Sequence, residues 1–332
     1  MKAKLALAVA LAAVLTGCGK NVGWIIKPVP VDETLRETVV ISEPGLFVTD
    51  KIVLVDVDGM LFNQRRGGLF DYSDNPVSMF VEKLDKAQSD PHVKAVVVRI
   101  NSPGGGVTAS DIMYSRLKRF KQARKLPVVA VIEDVGASGG YYVACAADRI
   151  IAHPTSVTGS IGTMVQTISL SGTMKWLRID AKAITSGPRK DMASPFKPLD
   201  PDDLAILQQM VDEYYQRFLD VVGASRKELD ADRIKTLADG RVYTGRQAKE
   251  EGLVDALGTV EDAVVAAKSA CGDARVKVVM YHRPVGYRAN VYSAAPSTTA
   301  GGDVNLVNLS ADQLLSAAQP QFLYLWTGHT YR

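Results

Sequence analysis

Four runs of branched aliphatic residues constrain this chain more than any other feature. They are "KIVLVDVDG" at 51–59, "KAVVVRIN" at 94–101, "PVVAVIED" at 127–134 and "DRIIAHP" at 148–154. Their valines and isoleucines are continuous rather than alternating with polar residues, so both faces of each strand must be covered. Helical patterns at 76–88, 107–125 and 138–147 separate them. Strand–helix–strand repetition of this kind predicts an α/β fold with parallel pairing. The chain has 332 residues, 47% hydrophobic and 23% charged, enough for one large core.

Less regular elements follow. "TMVQTISL" (163–170) and "DAKAITSG" (180–187) read as strands around a helix at 172–178. A long helix opens at Asp200-Pro201, with Leu204, Leu207, Val211, Tyr214, Phe218 and Val222 at helical spacing. That stripe requires a partner face, from another helix or another subunit. A helix at 226–237, a turn–strand–helix–strand run over 239–259, a helix at 259–270 and a strand at 275–281 complete the pattern. The domain thus spans 51–281. Residues 18–50, with Pro28, Pro30 and Pro44, read as an anchor and extended linker. Residues 282–332 read as a poorly ordered tail, ending in the apolar "FLYLWTGHTYR".

The N-terminus is a targeting segment. Two lysines precede eleven apolar residues, Leu5 to Leu15. A membrane span needs about 20, so residues 1–17 read as a secretory signal. The signal ends in Leu15-Thr16-Gly17-Cys18, which resembles the bacterial lipobox. Lipid on Cys18 would tether the mature protein in the cell envelope, outside the cytoplasm, with inner or outer membrane left open. Loss of Lys2 and Lys4 lowers the net charge from +3 to +1, so nothing steers the chain toward nucleic acid. Cys145 sits in an apolar helical pattern and reads as a small core residue. The four histidines are scattered, without ligand spacing, and neither metal nor cofactor is expected.

Two turns carry the chemistry. "NSPGGGVTASD" (101–111) runs from a buried strand into a helix, and its glycines let successive N–H groups face one concavity. "EDVGASGGYY" (133–142) does the same with Ser138 at its centre. Neighbouring parallel strands end at one sheet edge, so the two turns would lie side by side. The N–H groups of Gly104, Gly105 and Gly139 would then form an oxyanion hole beside a Ser138 nucleophile. Alone, Ser138 is more often a helix N-cap; the pairing of the turns favours catalysis. A base must take its proton. His153 is the nearest histidine but stands at a strand end before Pro154. The lysine candidates are Lys175, Lys182, Lys190 and Lys197, and a Ser160 hydroxyl in "TGSIGT" would hold a neutral amine.

Four stretches, "RINSPGGGVTAS", "GASGGYYVACAADRIIAHPTSVTGSIG", "TSGPRKDMASPF" and "GRVYTGRQAKEEGLVDALGT", together resemble the bacterial signal peptide peptidase A family. The resemblance covers about 51–268. It implies the ClpP/crotonase fold, a spiral of strand–strand–helix units, with added helices used in oligomerisation. It implies a Ser-Lys dyad of Ser138 and Lys190, Ser160 as the serine that bonds the lysine, and Gly104 or Gly105 with Gly139 at the oxyanion hole. It also implies a homo-oligomeric ring whose sites take serine and lysine from neighbouring subunits. Peptides bound as extended strands are the expected substrates, cleaved signal peptides or other apolar envelope peptides, with small and aliphatic side chains favoured. The lipobox departs from the transmembrane anchor common among short relatives, and this puts the substrate in question rather than the chemistry. Two other readings stay open: an inactive peptide-binding scaffold and a crotonase-type acyl-thioester enzyme.

Overall fold

The computed structural model describes residues 34–45, 48–64, 75–272, 275–283 and 321–328. All of these fall in one compact unit, Thr34–Arg332. The signal, Cys18, the first part of the linker and the tail at 284–320 lie outside the described residues. In chain order the elements are β1 (Arg36–Ser42), β2 (Lys51–Asp58), α1 (Pro76–Ser89), β3 (Val93–Ser102), β4 (Gly104–Gly106), α2 (Val107–Arg124), β5 (Val128–Ala137) and α3 (Gly139–Ala144). They continue as β6 (Arg149–Ala152), β7 (Val157–Gly159), β8 (Met164–Gln166), α4 (Ser171–Trp176), α5 (Pro201–Ser225) and α6 (Ala231–Leu237). The last are β9 (Val242–Thr244), α7 (Gly245–Glu250), β10 (Ala256–Leu257), α8 (Val260–Ala270), β11 (Lys277–His282) and β12 (Gln321–Leu325).

The aliphatic runs form the centre of a sheet in the order β1-β11-β2-β3-β5-β6-β10, parallel except where β1 meets β11. Successive side chains of a strand point to opposite faces. Val53, Val55, Val96, Val98, Ala130 and Ile132 pack against α1, α2 and α3 on one face. Ile52, Leu54, Ala95, Val97, Val129 and Val131 pack against Val260, Ala263 and Ala267 of α8 on the other. Both faces are therefore dry, which explains the lack of polar alternation. Helix α1 starts where Asn75 accepts hydrogen bonds from Val77 N and Ser78 N, with Pro76 at its first position.

On the side away from β3, strand β5 serves two neighbours. Val129–Ile132 pair with β6, and Val135–Ala137 pair with β7, which in turn pairs with β9. The strand thus carries Ser138 past the main sheet edge. A second sheet, β4-β12-β8, sits over this end. Its middle strand is the apolar C-terminal segment.

The structure differs from the sequence reading in several places. Residues 180–187 form no strand, and only Met164–Gln166 of 163–170 does. The helix expected at 226–237 begins at Ala231, capped by Asp230. Strand β1 lies inside the stretch read as linker and extends the sheet there. Cys145 is buried as expected, and it is a free thiol. Among the described residues, no helix is long and apolar enough to cross a membrane.

Candidate active site

The two glycine turns do lie side by side. Ser102 at the end of β3 pairs with Gly136 of β5, and β4 follows at once. The fully buried Ser102 hydroxyl donates to Gly59 O at 2.6 Å and accepts from Gly104 N at 3.1 Å, pinning the first turn from inside. The Gly104 N–H is thereby engaged. On the outer edge of β4, Leu61 N donates to Gly104 O at 2.9 Å and Gly106 N to Leu61 O at 2.8 Å. Gly105 consequently turns its N–H and C=O to the opposite side, toward β12. Of the two glycines in the first turn, Gly105 is the one that faces the groove.

Gly104 is required by space and by backbone angle. Its φ is +100°, and a Cβ there would stand 2.0 Å from the Tyr324 carbonyl oxygen and 2.6 Å from Gly139 N. Those figures also show how tightly the turn of Ser138 approaches the first. A Cβ on Gly139 would meet the Ser110 hydroxyl at 2.4 Å.

Ser138 heads α3 with φ 50° and ψ −114°, and its side chain makes no capping bond. A non-glycine residue in that region carries about 1–3 kcal/mol of strain, which only a rigid surround can sustain. The surround is visible. Ser138 N donates to Gly159 O at 2.7 Å, Tyr142 N donates to Ser138 O at 2.8 Å, and the Tyr141 hydroxyl donates to Leu253 O at 2.7 Å. The side chain is thus released from the cap role that residue type alone would suggest. Ser160, one residue beyond Gly159, is buried, also has positive φ (49°), and donates its N–H to Arg241 O at 2.7 Å. A cavity of about 490 Å³ opens beside it, lined by Thr163, Asp212, Asp239 and Trp326 among others.

The lysines are placed differently. Lys190 lies in an exposed turn, its N–H donating to Gly187 O at 3.2 Å, and no hydrogen bond joins it to Ser138 or Ser160 within this chain. Its neighbours are all committed. Arg189 reaches Asp200, Asp202 and Asp203, while Lys197 pairs with Asp191 at 2.7 Å and Asp203 at 3.4 Å. Asp191, adjacent to Lys190 in sequence, therefore neutralises Lys197 instead. Its bond holds the Lys197 amine above the ordinary lysine range, opposite to what a base needs. Lys175, Lys182 and Lys190 remain without ion pairs among the described residues. His153 is exposed, bonded at Nδ1 to the Thr155 hydroxyl (2.8 Å), and lines a different cavity, with Asp58 and Glu133.

Two features of this site escape sequence reasoning. Ser102 looks like an ordinary strand-end serine, and only its two buried bonds show its part. Strand β12 lies 215 residues beyond Gly106 at its first position, Gln321, and nothing local in sequence assigns it to β4. The alternation in "QFLYLW" was the available signal. Leu323, Tyr324 and Leu325 pair antiparallel with Gly106, Gly105 and Gly104, and Gln321–Leu323 pair with β8 on the other side.

Comparison with known proteins agrees with this geometry. A model of Peptidase family S49 matches residues 120–272, a stretch that holds Ser138, Gly139, Ser160 and Lys190. An Enterococcus faecium protein named as a signal peptide peptidase SppA is 36% identical over 214 residues, covering 64% of this chain and 62% of that one. This chain therefore spans less than two thirds of that relative's length. The chloroplastic serine protease SPPA of Arabidopsis thaliana is 32% identical over 233 residues, 69% of this chain and 34% of its own. A Methanocaldococcus jannaschii protein named as a protease is 35% identical over 238 residues, 71% of this chain and 76% of its own. With a relative matched over three quarters of its length and a family model that takes in the strained serine and the lysine turn, this chain belongs to peptidase family S49.

Proposed function

We propose that the protein is a serine endopeptidase that hydrolyses extended apolar peptides, with Ser138 as nucleophile and Lys190 as general base. One observation carries this reading. Strand β12 fills a groove between β4 and β8, with the Tyr324 carbonyl beside Gly104 and Gly139, where a scissile carbonyl would need its donors. In the proposed reaction the Ser138 Oγ attacks that carbonyl and its proton passes to the neutral Lys190 amine. The oxyanion accepts hydrogen bonds from Gly105 N–H and Gly139 N–H. Lys190 then protonates the leaving amine; water, deprotonated by the same lysine, attacks the acyl carbonyl, and Lys190 returns that proton to the Ser138 Oγ as the acid departs.

A neutral lysine near pH 7 needs a shift of about 3 pK units, roughly 4 kcal/mol against its charged form. Burial supplies this only if something covers Lys190. The proposal is that a second copy does so within a homo-oligomeric ring. Exposed apolar residues support it: Trp176 is 80% and Ile184 97% exposed, with Leu177, Ile179, Leu204 and Ile206 nearby in sequence. In that ring the amine of Lys190 enters the cavity beside Ser160 of the neighbour, and the Ser160 hydroxyl orients it. The spiral ClpP/crotonase arrangement, the lipid on Cys18, envelope location and cleaved signal peptides as substrates belong to the same reading. They rest on the sequence resemblance and on the names of relatives.

The experiment is peptide cleavage by the purified chain, with mass spectrometry after treatment with a serine-reactive phosphonate. The reading requires cleavage, labelling at Ser138, and loss of cleavage in both Ser138→Ala and Lys190→Ala. Retained cleavage in Lys190→Ala with loss in His153→Ala or Lys175→Ala would assign another base.

A further inference from the structure

Strand β12 shows which side chain the groove accepts at its most enclosed position. Trp326 N donates to Pro103 O at 2.9 Å, so ladder alternation makes Tyr324 and Gly105 the next hydrogen-bonded pair. The residue whose carbonyl meets the Gly105 N–H is the residue before the scissile bond in the reaction above. Its side chain here is a phenol, and it is completely buried.

The pocket around it is aromatic and joins the nucleophile's own helix, α3, to α5. Tyr142 lies four residues after Ser138, one helical turn on, and stacks against Tyr324 with ring centroids 5.1 Å apart. Phe218 of α5 meets both rings, its centroid 4.8 Å from that of Tyr324 and 5.0 Å from that of Tyr142. The Tyr324 hydroxyl donates to Tyr214 O at 2.6 Å. Tyr142 is held in turn by Tyr114 and Phe218, edge-on at 5.2 and 5.0 Å, and by its hydroxyl on Asp111. The pocket therefore has a fixed shape, a slot bounded by one stacked and one tilted ring, with one acceptor at its end. Phe322, two residues back on the same face of the strand, meets the Tyr214 ring edge-on at 5.2 Å.

We propose that Tyr142, Tyr214 and Phe218 form a specificity pocket for an aromatic side chain at the residue before the scissile bond, tyrosine best. A second aromatic two residues earlier is favoured by the Tyr214 ring. This rests on the assignment of Ser138 as nucleophile, and it replaces the small and aliphatic preference expected from sequence. The ranking follows from the contacts. Phenylalanine keeps the stacking and loses one neutral hydrogen bond, an effect of about three- to tenfold. The acceptor, Tyr214 O, is a helix carbonyl and is not orphaned by the loss. Alanine forfeits the buried ring, an effect of about a hundredfold.

The test separates pocket from chemistry by measuring binding as well as cleavage. Peptides Gln-Phe-Leu-X-Leu-Trp with X as Tyr, Phe, Leu or Ala are titrated against full-length Ser138→Ala, alone and combined with Tyr324→Ala to empty the slot. The expected order of affinity is Tyr, Phe, Leu, Ala, with tighter binding overall once Tyr324 is removed. Adding Phe218→Ala should collapse the Tyr-to-Ala ratio toward one. Equal affinities for all four peptides, or a ratio untouched by Phe218→Ala, would overturn the proposal and leave Tyr324 as a core residue that docks the tail. Cleavage of the same peptides by the chain with Ser138 intact reports on the peptidase reading alone. Ranked binding without any cleavage would sink that reading and keep the pocket.

Discussion

The two halves of the proposed dyad are held in opposite ways. Ser138 sits at a strained backbone position, 1% exposed, at the meeting point of β5, β7 and the turn at Gly104. Lys190 sits in an exposed turn of a segment whose apolar residues face outward. The serine half is complete in a single chain, because the core that holds it is also the core that folds the domain. The lysine half has the right neighbours disarmed, through Asp191 on Lys197 and the Asp200–Asp203 cluster on Arg189, yet lacks the burial that a base requires. One half is a product of folding; the other, in the proposed ring, depends on association.

Substitutions at the dyad should break activity most. Ser138→Ala and Lys190→Ala are each expected to lower kcat by at least about 10⁴-fold with little change in melting temperature, while Lys197→Ala retains far more activity than Lys190→Ala. Steady-state peptide hydrolysis beside a thermal melt measures both.

Next in size is Gly104→Ala. Its methyl group would meet Tyr324 O and Gly139 N, so the donors of both turns must shift. Loss of one oxyanion donor predicts a fall in kcat of about 10²–10³, larger than the change in KM. Ser102→Ala acts from beneath the same turn and leaves Gly104 N and Gly59 O without a buried partner. A loss of about 1–3 kcal/mol is expected in denaturant unfolding, with a smaller fall in kcat.

The exposed arm that carries Trp176, Ile184 and Lys190 should respond in the reverse sense. Ile184→Asp is expected to change the stability of the isolated chain by no more than about 0.5 kcal/mol, since Ile184 is almost fully exposed. If the arm is an interface, the same change disperses the assembly in sedimentation velocity and removes cleavage. Stable assembly with full activity in Ile184→Asp would place the interface elsewhere.

A last effect, on stability rather than on activity, lies on β5 itself, five residues before Ser138. Burial raises the Glu133 carboxyl to about 7, against the pull of Arg99. The folded chain therefore holds this proton more firmly than the unfolded chain does, so the stability it contributes at acid pH is lost as pH rises from about 4.5 through about 7. Glu133→Gln should flatten that part of the stability–pH curve, measured by denaturant midpoints.

Much of the serine half was legible in sequence, and the reason is physical. Val53–Val57, Val96–Ile100 and Val128–Ile132 are buried on both faces, so their composition alone marks them as central strands. Strand ends and glycines then locate the two turns. Strands β4 and β7 were not legible, because three-residue strands carry too little pattern, and β4 is glycine throughout. The arm misled for a different reason. "DAKAITSG" alternates as a strand would, but Ile184 has no neighbour to pack on in this chain, and the segment forms none. Strand β12 escaped because its pairing spans most of the sequence and a long stretch of polar residues.

The claim that the dyad is shared between subunits can be tested by mixing two dead variants. Ser138→Ala and Lys190→Ala chains are dissociated, combined in equal amounts and reassembled, and peptide hydrolysis is measured. A shared site predicts recovery to about a quarter of wild-type activity, because that fraction of sites pairs an intact Ser138 with an intact Lys190. No recovery from a mixture shown to have reassembled would contradict the account.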